Sequence, residues 1–195
     1  MKRRFYSLFL ALTLGSSIAA TTLVAGTAFA GPATDVVKAK QTQLFDKIRA
    51  SDDAAVVSLL DEMLDYSAIA KASLGDQWSG LSDDQRSEFQ GLLTRLVQQA
   101  YKKNLKKILD FDIDYVSEDA SGDVTKVKTR AKKGSEDPVE ITFSLRQDGS
   151  GFKVIDIDTE GVSLVSSYRS QFVKIIKKDG FAALLQKMKD KLAAG

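Results

Sequence analysis

The stretch from Glu160 to Phe172, EGVSLVSSYRSQF, decides how the sheet of this protein meets its helices. Gly161 can adopt backbone angles closed to other residues, so we expect a turn there that ends a strand. Ser163 is placed to cap the helix that follows. The next apolar residues recur at helical spacing: Leu164, Tyr168, Phe172 and Ile175. The stretch therefore predicts a strand, a glycine turn and a helix whose apolar stripe faces a sheet.

Before that turn, apolar and polar side chains alternate, which is the pattern of strands with one buried face. The alternating sets are Phe111, Ile113 and Tyr115; Val127, Thr129 and Ala131; and Val139, Ile141, Phe143 and Leu145. A fourth run, 152–159, places Phe152 and Val154 on one face and Ile155 and Ile157 on the other. It is therefore either covered on both sides or contains a β-bulge. We expect four antiparallel strands joined as a meander.

The other segments have the period of amphipathic helices. Thr34 and Ser51 are candidate caps of two leading helices, and Ser82 with Gln85 has capping-box form ahead of the longest helix. Gly75 and Gly180 are expected at helix ends. In the sequence, helices precede and follow the run of strands. This order indicates an α+β fold, with the helices packed on one face of an antiparallel sheet.

The first thirty residues have the plan of a secretory signal peptide. Three basic residues precede an apolar, small-residue stretch, and Ala28-Phe29-Ala30 supplies the small residues that a signal peptidase reads. The alternative is an uncleaved membrane anchor, because the stretch approaches the length of a spanning helix. Its small and polar residues weaken its apolarity, so we expect cleavage after Ala30. Residues 31–195 would then form a single exported domain.

Cleavage would also change the charge of the chain. The full sequence has 28 basic and 26 acidic residues, a formal net charge of +2. Loss of residues 1–30 removes three basic residues and no acidic one, which leaves a formal net charge of −1. A nearly neutral protein lacks the positive field of general nucleic-acid binders.

The chain contains neither histidine nor cysteine, which excludes several kinds of active site. Histidine-dependent triads, thiol nucleophiles and ordinary zinc sites all require these residues. A serine–lysine hydrolase is the remaining enzymatic alternative, but no serine lies in a G-x-S-x-G turn after a strand. We therefore expect a protein with no enzymatic activity and no cofactor.

Two charged patterns have both a plain and a functional interpretation. Asp110, Asp112 and Asp114 alternate and could attract a cation, but they lack the spacing and glycine of a calcium loop, so we predict a solvated strand face and no metal. Two basic groups are either solvated surface or docking sites for anionic headgroups and acidic partner proteins. These groups are Lys102, Lys103, Lys106 and Lys107, and Lys126, Lys128, Arg130 and Lys132.

Three ordered blocks of the sequence resemble the MlaC family, the periplasmic phospholipid-shuttle proteins of the toluene-tolerance group. They are LDYSAIAKASLGDQW (64–78), QRSEFQGLLTRLVQQAYKKNL (85–105) and the block around Gly161. The resemblance runs from about residue 35 to residue 192. Tyr66, where relatives more often carry Phe, and the aspartate triplet depart from the family pattern.

The resemblance implies an NTF2-like fold with an apolar cleft between sheet and helices, which holds acyl chains and leaves the headgroup outside. It also implies a function without chemistry. The protein would carry phospholipid through the periplasm between an outer-membrane lipoprotein complex and an inner-membrane ABC transporter that bears an MCE-domain ring. We expect a monomer.

Periodicity alone does not separate a lipid-binding interior from a filled one, because both require the same inward alternation. The resemblance favours a cleft lined by Leu74, Trp78, Phe89, Leu93, Val97, Tyr101, Ile141, Phe143, Val154, Val162, Leu164, Tyr168 and Phe172. Two alternatives remain open: a carrier of hopanoid-type lipid, and a periplasmic interaction module with a filled core. Arg169 faces differently from Tyr168, and we expect it to pair with Glu160 rather than to touch a headgroup.

Overall fold

The computed structural model describes residues 31–194, except for the side chains of residues 103–106. The expected signal peptide, 1–30, lies outside the described residues. The helices are α1 (Pro32–Arg49), α2 (Asp53–Met63), α3 (Tyr66–Leu74), α4 (Asp83–Asn104), α5 (Leu164–Asp179) and α6 (Phe181–Ala193). The strands are β1 (Asp112–Ser121), β2 (Val124–Lys132), β3 (Val139–Asp148), β4 (Gly151–Thr159) and β5 (Val162–Ser163). Short 3-10 helices follow α3 (Gly75–Gly80) and α4 (Leu105–Asp110), and no described helix is long and apolar enough to cross a membrane.

Local capping chemistry sets most of the helix ends, as the sequence predicts. The Ser82 and Gln85 side chains each accept a hydrogen bond from the other's backbone N–H, at 3.3 and 3.0 Å, and Ser163 Oγ accepts from Ser166 N at 3.0 Å. Two predicted caps were wrong. Asp52 rather than Ser51 caps α2, and α1 begins at Pro32, ahead of Thr34.

The sheet is antiparallel throughout, in the order β1-β2-β3-β4-β5, and the predicted α+β class is confirmed. The predicted count of four strands was wrong, because Val162 and Ser163 form a fifth. Glu160 and Gly161 both have positive φ, 55° and 81°, which makes a tight hairpin turn, and Asp158 accepts a hydrogen bond from Gly161 N at 2.8 Å. The chain therefore pairs briefly with β4 before Ser163 starts α5.

Two register shifts decide which side chains face the helices. In β4 the register shifts opposite Ser144 and Leu145, so Val154 and Ile157 both face the core, with 3% and 7% exposure. This confirms the bulge among the two alternatives for that strand. In β1 a shift between Tyr115 and Ser117 turns Glu118 to the inner face.

The inward-facing Glu118 connects β1 to the N-terminus of α1 through hydrogen bonds. Its carboxylate accepts hydrogen bonds from Thr34 N and Thr34 Oγ1, both at 2.7 Å, and from Ala33 N at 3.4 Å. Pro32 has no N–H, so this one side chain from β1 satisfies the N–H groups of the second and third residues of α1. A carboxylate at a helix N-terminus is also stabilised by the helix dipole.

The helices form two layers on one face of the sheet. Helix α1 packs against β1 and β2, whereas α2, α3 and α5 pack against β4. Helices α4 and α6 lie behind them, with α4 against α3 and α6. An aromatic contact joins this second layer to α5, because the Phe89 ring meets Phe172 edge-on at 5.6 Å. Within the layer, the Phe89 ring lies 6.2 Å from the Phe181 ring of α6.

Candidate functional site

Two residues of the central strand β3 are less covered on the inner face than their neighbours in β2. Ile141 and Phe143 point toward the helices but are only half-buried. Their neighbours in the same rows of β2, Thr129 and Val127, are 1% and 0% exposed. Among the described residues, the coverage is therefore incomplete over β3 itself, between α1 on one side and the β4-packing helices on the other. We call this opening, with Val139, Ile141 and Phe143 as its floor, the β3 groove.

Val162 continues the groove to the edge of the sheet. It lies opposite Thr159, which lies opposite Ile141, so all three share the inner face. The Val162 side chain is 39% exposed. The exposed side chain at this position gives the groove an open, apolar edge.

The predicted lining residues divide into two sets. Seven are fully packed core residues, which are Leu74, Phe89, Leu93, Val97, Val154, Leu164 and Phe172. The others are reachable from solvent, and they are Trp78, Tyr101, Ile141, Phe143, Val162 and Tyr168. Trp78 lies apart in the first 3-10 helix, where Arg86 stacks over its ring at 5.7 Å. Val139 was missed as a lining residue, although the alternation with Ile141 and Phe143 placed it on the same face of the strand.

A separate small cavity lies at the other end of the inner face, between α1, α2 and the sheet. It is lined by Val36, Val37, Lys40, Glu62, Met63, Leu145, Phe152 and Val154, and its volume is about 20 Å³. That is room for about one water molecule. An acyl chain does not fit there, so the β3 groove is the better candidate for a ligand.

Tyrosine side chains bring phenol groups near the interior. Burial raises the pKa of Tyr101 and of Tyr168, and the nearby Tyr168 contributes to the shift of Tyr101. The Tyr168 ring stacks on Phe172 at 5.3 Å with an interplanar angle of 11°. Burial also raises the pKa of Tyr115 to about 12, and its hydroxyl donates to Gln41 Oε1 on α1 at 2.5 Å. These groups are neutral at physiological pH and act as hydrogen-bond donors.

The basic residues of β2 lie on the outer face of the sheet, away from the groove. Lys126, Arg130 and Lys132 stand opposite Asp119, Asp114 and Asp112 of β1, while Lys128 forms an ion pair with Glu140 of β3 at 3.2 Å. Such cross-strand pairs neutralise much of the basic row. Lys102 and Lys107 are exposed, and the side chains of Lys103 and Lys106 lie outside the described part of the chain. Docking through these residues stays a prediction.

Arg169 has a partner that the sequence did not predict. Its Nε donates to the backbone oxygen of Ala72 at 2.8 Å, near the end of α3, which ties α5 to α3. Glu160 instead accepts a hydrogen bond from Glu140 N at 2.7 Å. The expected pair of Arg169 with Glu160 was therefore wrong, because the tight turn directs Glu160 toward β3.

Both the sequence and the fold of this chain are similar to those of known proteins. Residues 31–190 match the family model described as "MlaC protein". A solved structure, the phospholipid-binding protein from Ralstonia solanacearum in complex with a phospholipid, is similar to this chain, with a TM-score of 0.73 and 21% identity. The similarity covers 84% of this chain and 98% of that one, which supports the arrangement of helices and sheet. No match was found among curated proteins. The NTF2-like label stays a prediction.

Proposed function

Because the chain belongs to the MlaC family, as its three sequence blocks predicted, we propose that it is a phospholipid carrier of the periplasm without enzymatic activity. In this proposal the protein takes phospholipid between an outer-membrane lipoprotein complex and an inner-membrane ABC transporter with an MCE-domain ring. It uses no cofactor, and its cargo is the bound lipid.

The β3 groove is the observation that supports lipid binding most directly. Ile141 and Phe143 lie on the inner face of the central strand, where a filled core would bury them completely, yet they are half-buried. The residues beside them in β2 are sealed, so the opening is local. An apolar groove over the middle of a sheet, with an exposed apolar edge at Val162, fits acyl chains with the headgroup left outside.

The size of the hydrophobic effect explains why a carrier needs such a groove. Two acyl chains with about thirty methylene groups cost on the order of 24 kcal/mol to expose to water, at about 0.8 kcal/mol per methylene. Unassisted transfer through water is therefore very slow. A useful carrier must cover most of the tails but bind them no more tightly than its acceptor does. Half-open apolar walls meet both requirements better than a sealed cavity.

A pair of neighbouring substitutions on β3 tests this function. Phe143→Asp places a carboxylate on the groove floor, where an unpaired charge beside the tails costs several kcal/mol. We expect it to lower the phospholipid retained by purified residues 31–195 by about tenfold or more. Thr142→Asp is the matched control, because Thr142 faces outward and lies opposite Lys128. It should retain lipid as the wild type does.

The outcome separates the proposal from its alternatives. Extracted lipid that is triterpenoid rather than phospholipid would favour the hopanoid-type carrier. A wild-type protein that stays empty after incubation with phospholipid vesicles would favour the interaction module with a filled core. Equal retention by Phe143→Asp and Thr142→Asp would show that the groove is not where the tails bind.

A further inference from the structure

Tyr168 combines a fixed ring with an unused donor. Its ring stacks on Phe172, and Phe172 in turn packs against Phe89, so the side chain is held in one place. Among the described residues, its hydroxyl has no hydrogen-bond partner. The Tyr168 hydroxyl is not sealed, because the sealed, unpartnered side-chain oxygens of the described residues are those of Tyr66 and Ser73. It is therefore open to a partner from outside the protein, and tyrosine hydroxyls at the margin of an apolar core usually find one.

Two other tyrosines near the core have polar side chains close to their hydroxyls. Tyr115 donates to Gln41 Oε1 at 2.5 Å. The Tyr66 hydroxyl is sealed and also lacks a partner, but it lies close to Asp61 and Gln98, and both of these polar groups influence its pKa. For Tyr168, burial is the cause of the raised pKa, and the side chain packs against the apolar core.

Tyr101 lies near Tyr168 and belongs to a different helix, α4 rather than α5. Both side chains are only partly buried, and α5 directly follows Val162, the edge of the β3 groove. The two phenols therefore bring neutral polar groups to an otherwise apolar region. Arg169, the cation next to Tyr168 in the sequence, donates a hydrogen bond to the backbone oxygen of Ala72.

A neutral donor among apolar side chains suits a neutral acceptor. In a glycerophospholipid, the ester carbonyls have this character and lie at the root of the acyl chains, between tails and headgroup. We propose that the Tyr168 hydroxyl, with Tyr101 beside it, donates a hydrogen bond to an ester carbonyl of the bound lipid, so that the protein selects ester-linked over ether-linked phospholipid. This inference rests on the proposed lipid-carrier function and adds a selectivity to it.

Competition between two phospholipids that differ only in this linkage tests the inference. The mature protein is incubated with vesicles of equal diacyl and dialkyl phosphatidylcholine of the same chain length, and the bound lipid is identified by mass spectrometry. We expect the wild type to favour the diacyl lipid about fivefold, the value of one net hydrogen bond. Tyr168→Phe should abolish the preference, and Tyr115→Phe should keep it.

Unfolding in urea provides a second measurement. Tyr168→Phe removes a hydroxyl without an internal partner, so its stability should equal or exceed that of the wild type, whereas Tyr115→Phe should lose stability. Equal uptake of the two lipids by the wild type, a preference that survives Tyr168→Phe, or a loss of stability in that variant would overturn this inference alone. Failure of every chain to take up either lipid would refute the carrier function and the inference with it.

Discussion

Replacement of Glu118 by Ala is expected to destabilise the fold more than any ordinary surface change. The carboxylate accepts from Thr34 N and Thr34 Oγ1 at 2.7 Å and from Ala33 N at 3.4 Å. Thr34 is 4% exposed, so water does not readily replace the lost acceptor. Hydrogen bonds to a charged group contribute about 1.5–3 kcal/mol each, and the helix dipole adds about 0.3–1 kcal/mol. The three bonds share one carboxylate and the one to Ala33 is long, so their contributions do not add. We expect a loss of about 3 kcal/mol in the free energy of unfolding.

The assays are urea and thermal unfolding of residues 31–195, with an expected fall in Tm of about 6–12 °C for a chain of this size. Glu118→Gln keeps one acceptor oxygen but not the charge, so it should lose about half as much. Glu136→Ala, in the exposed β2–β3 connection, is the control and should change stability by no more than about 0.5 kcal/mol. A loss below about 1 kcal/mol for Glu118→Ala would refute the cap.

Gly31 belongs to the same cap. A Cβ added at this position would lie 2.3 Å from Glu118 Oε1, closer than atoms can approach. Gly31→Ala should therefore push the carboxylate away from α1 and lose part of the same energy. In Glu118→Ala the obstacle is gone, so Gly31→Ala should then cost little, and a double-mutant cycle measures this coupling. Additive losses would show that the two residues do not interact.

Three further predictions concern the sheet–helix corner and the protein surface. Ser163→Ala removes the acceptor of Ser166 N and should lower the free energy of unfolding by about 1 kcal/mol in urea titrations; an unchanged midpoint would contradict its role as a cap. Burial raises the pKa of Asp158, so its charge opposes folding above that pKa, and Asp158→Asn should be more stable than wild type near pH 7. The advantage should disappear in acid as the wild-type carboxyl takes up its proton, and a pH-independent difference would contradict the assignment. If the basic residues of β2 and of the end of α4 guide docking, the rate of lipid transfer to acceptor vesicles of anionic lipid should fall from low to high salt, and a rate that salt does not change would argue against it.

The sequence predicted the elements whose ends depend on local chemistry. The Ser82–Gln85 box, Ser163 and the glycines at 75 and 180 end or begin helices because each satisfies backbone groups within a few residues. The family resemblance followed from the same local blocks and was confirmed by the match over residues 31–190.

Features that depend on distant contacts were not predictable in this way. The bulge in β1 turns Glu118 inward against the simple alternation, and its partner Thr34 lies 84 residues earlier. Arg169 binds Ala72 O across 97 residues, so the nearby Glu160 was a natural but wrong choice. The turn at Glu160 and Gly161 was predicted, but the two-residue strand after it requires a register that only the folded sheet defines.

The groove itself shows the limit of periodicity most clearly. Ile141, Phe143 and Leu145 have the same inward alternation, yet Leu145 is 1% exposed and the other two are half-buried. The difference arises from where α1 and the β4-packing helices lie, which the alternation of one strand does not encode. Seven of the predicted lining residues are accordingly sealed core, while the floor of the opening lies on β3.

The central claim is that an apolar groove over β3 holds phospholipid, and the native mass of the folded protein tests it most directly. Residues 31–195, purified under non-denaturing conditions and incubated with phospholipid vesicles, should carry the added mass of one phospholipid. Extraction should recover that lipid in a one-to-one ratio with protein. A folded protein that remains at the mass of its polypeptide after the incubation would contradict the claim.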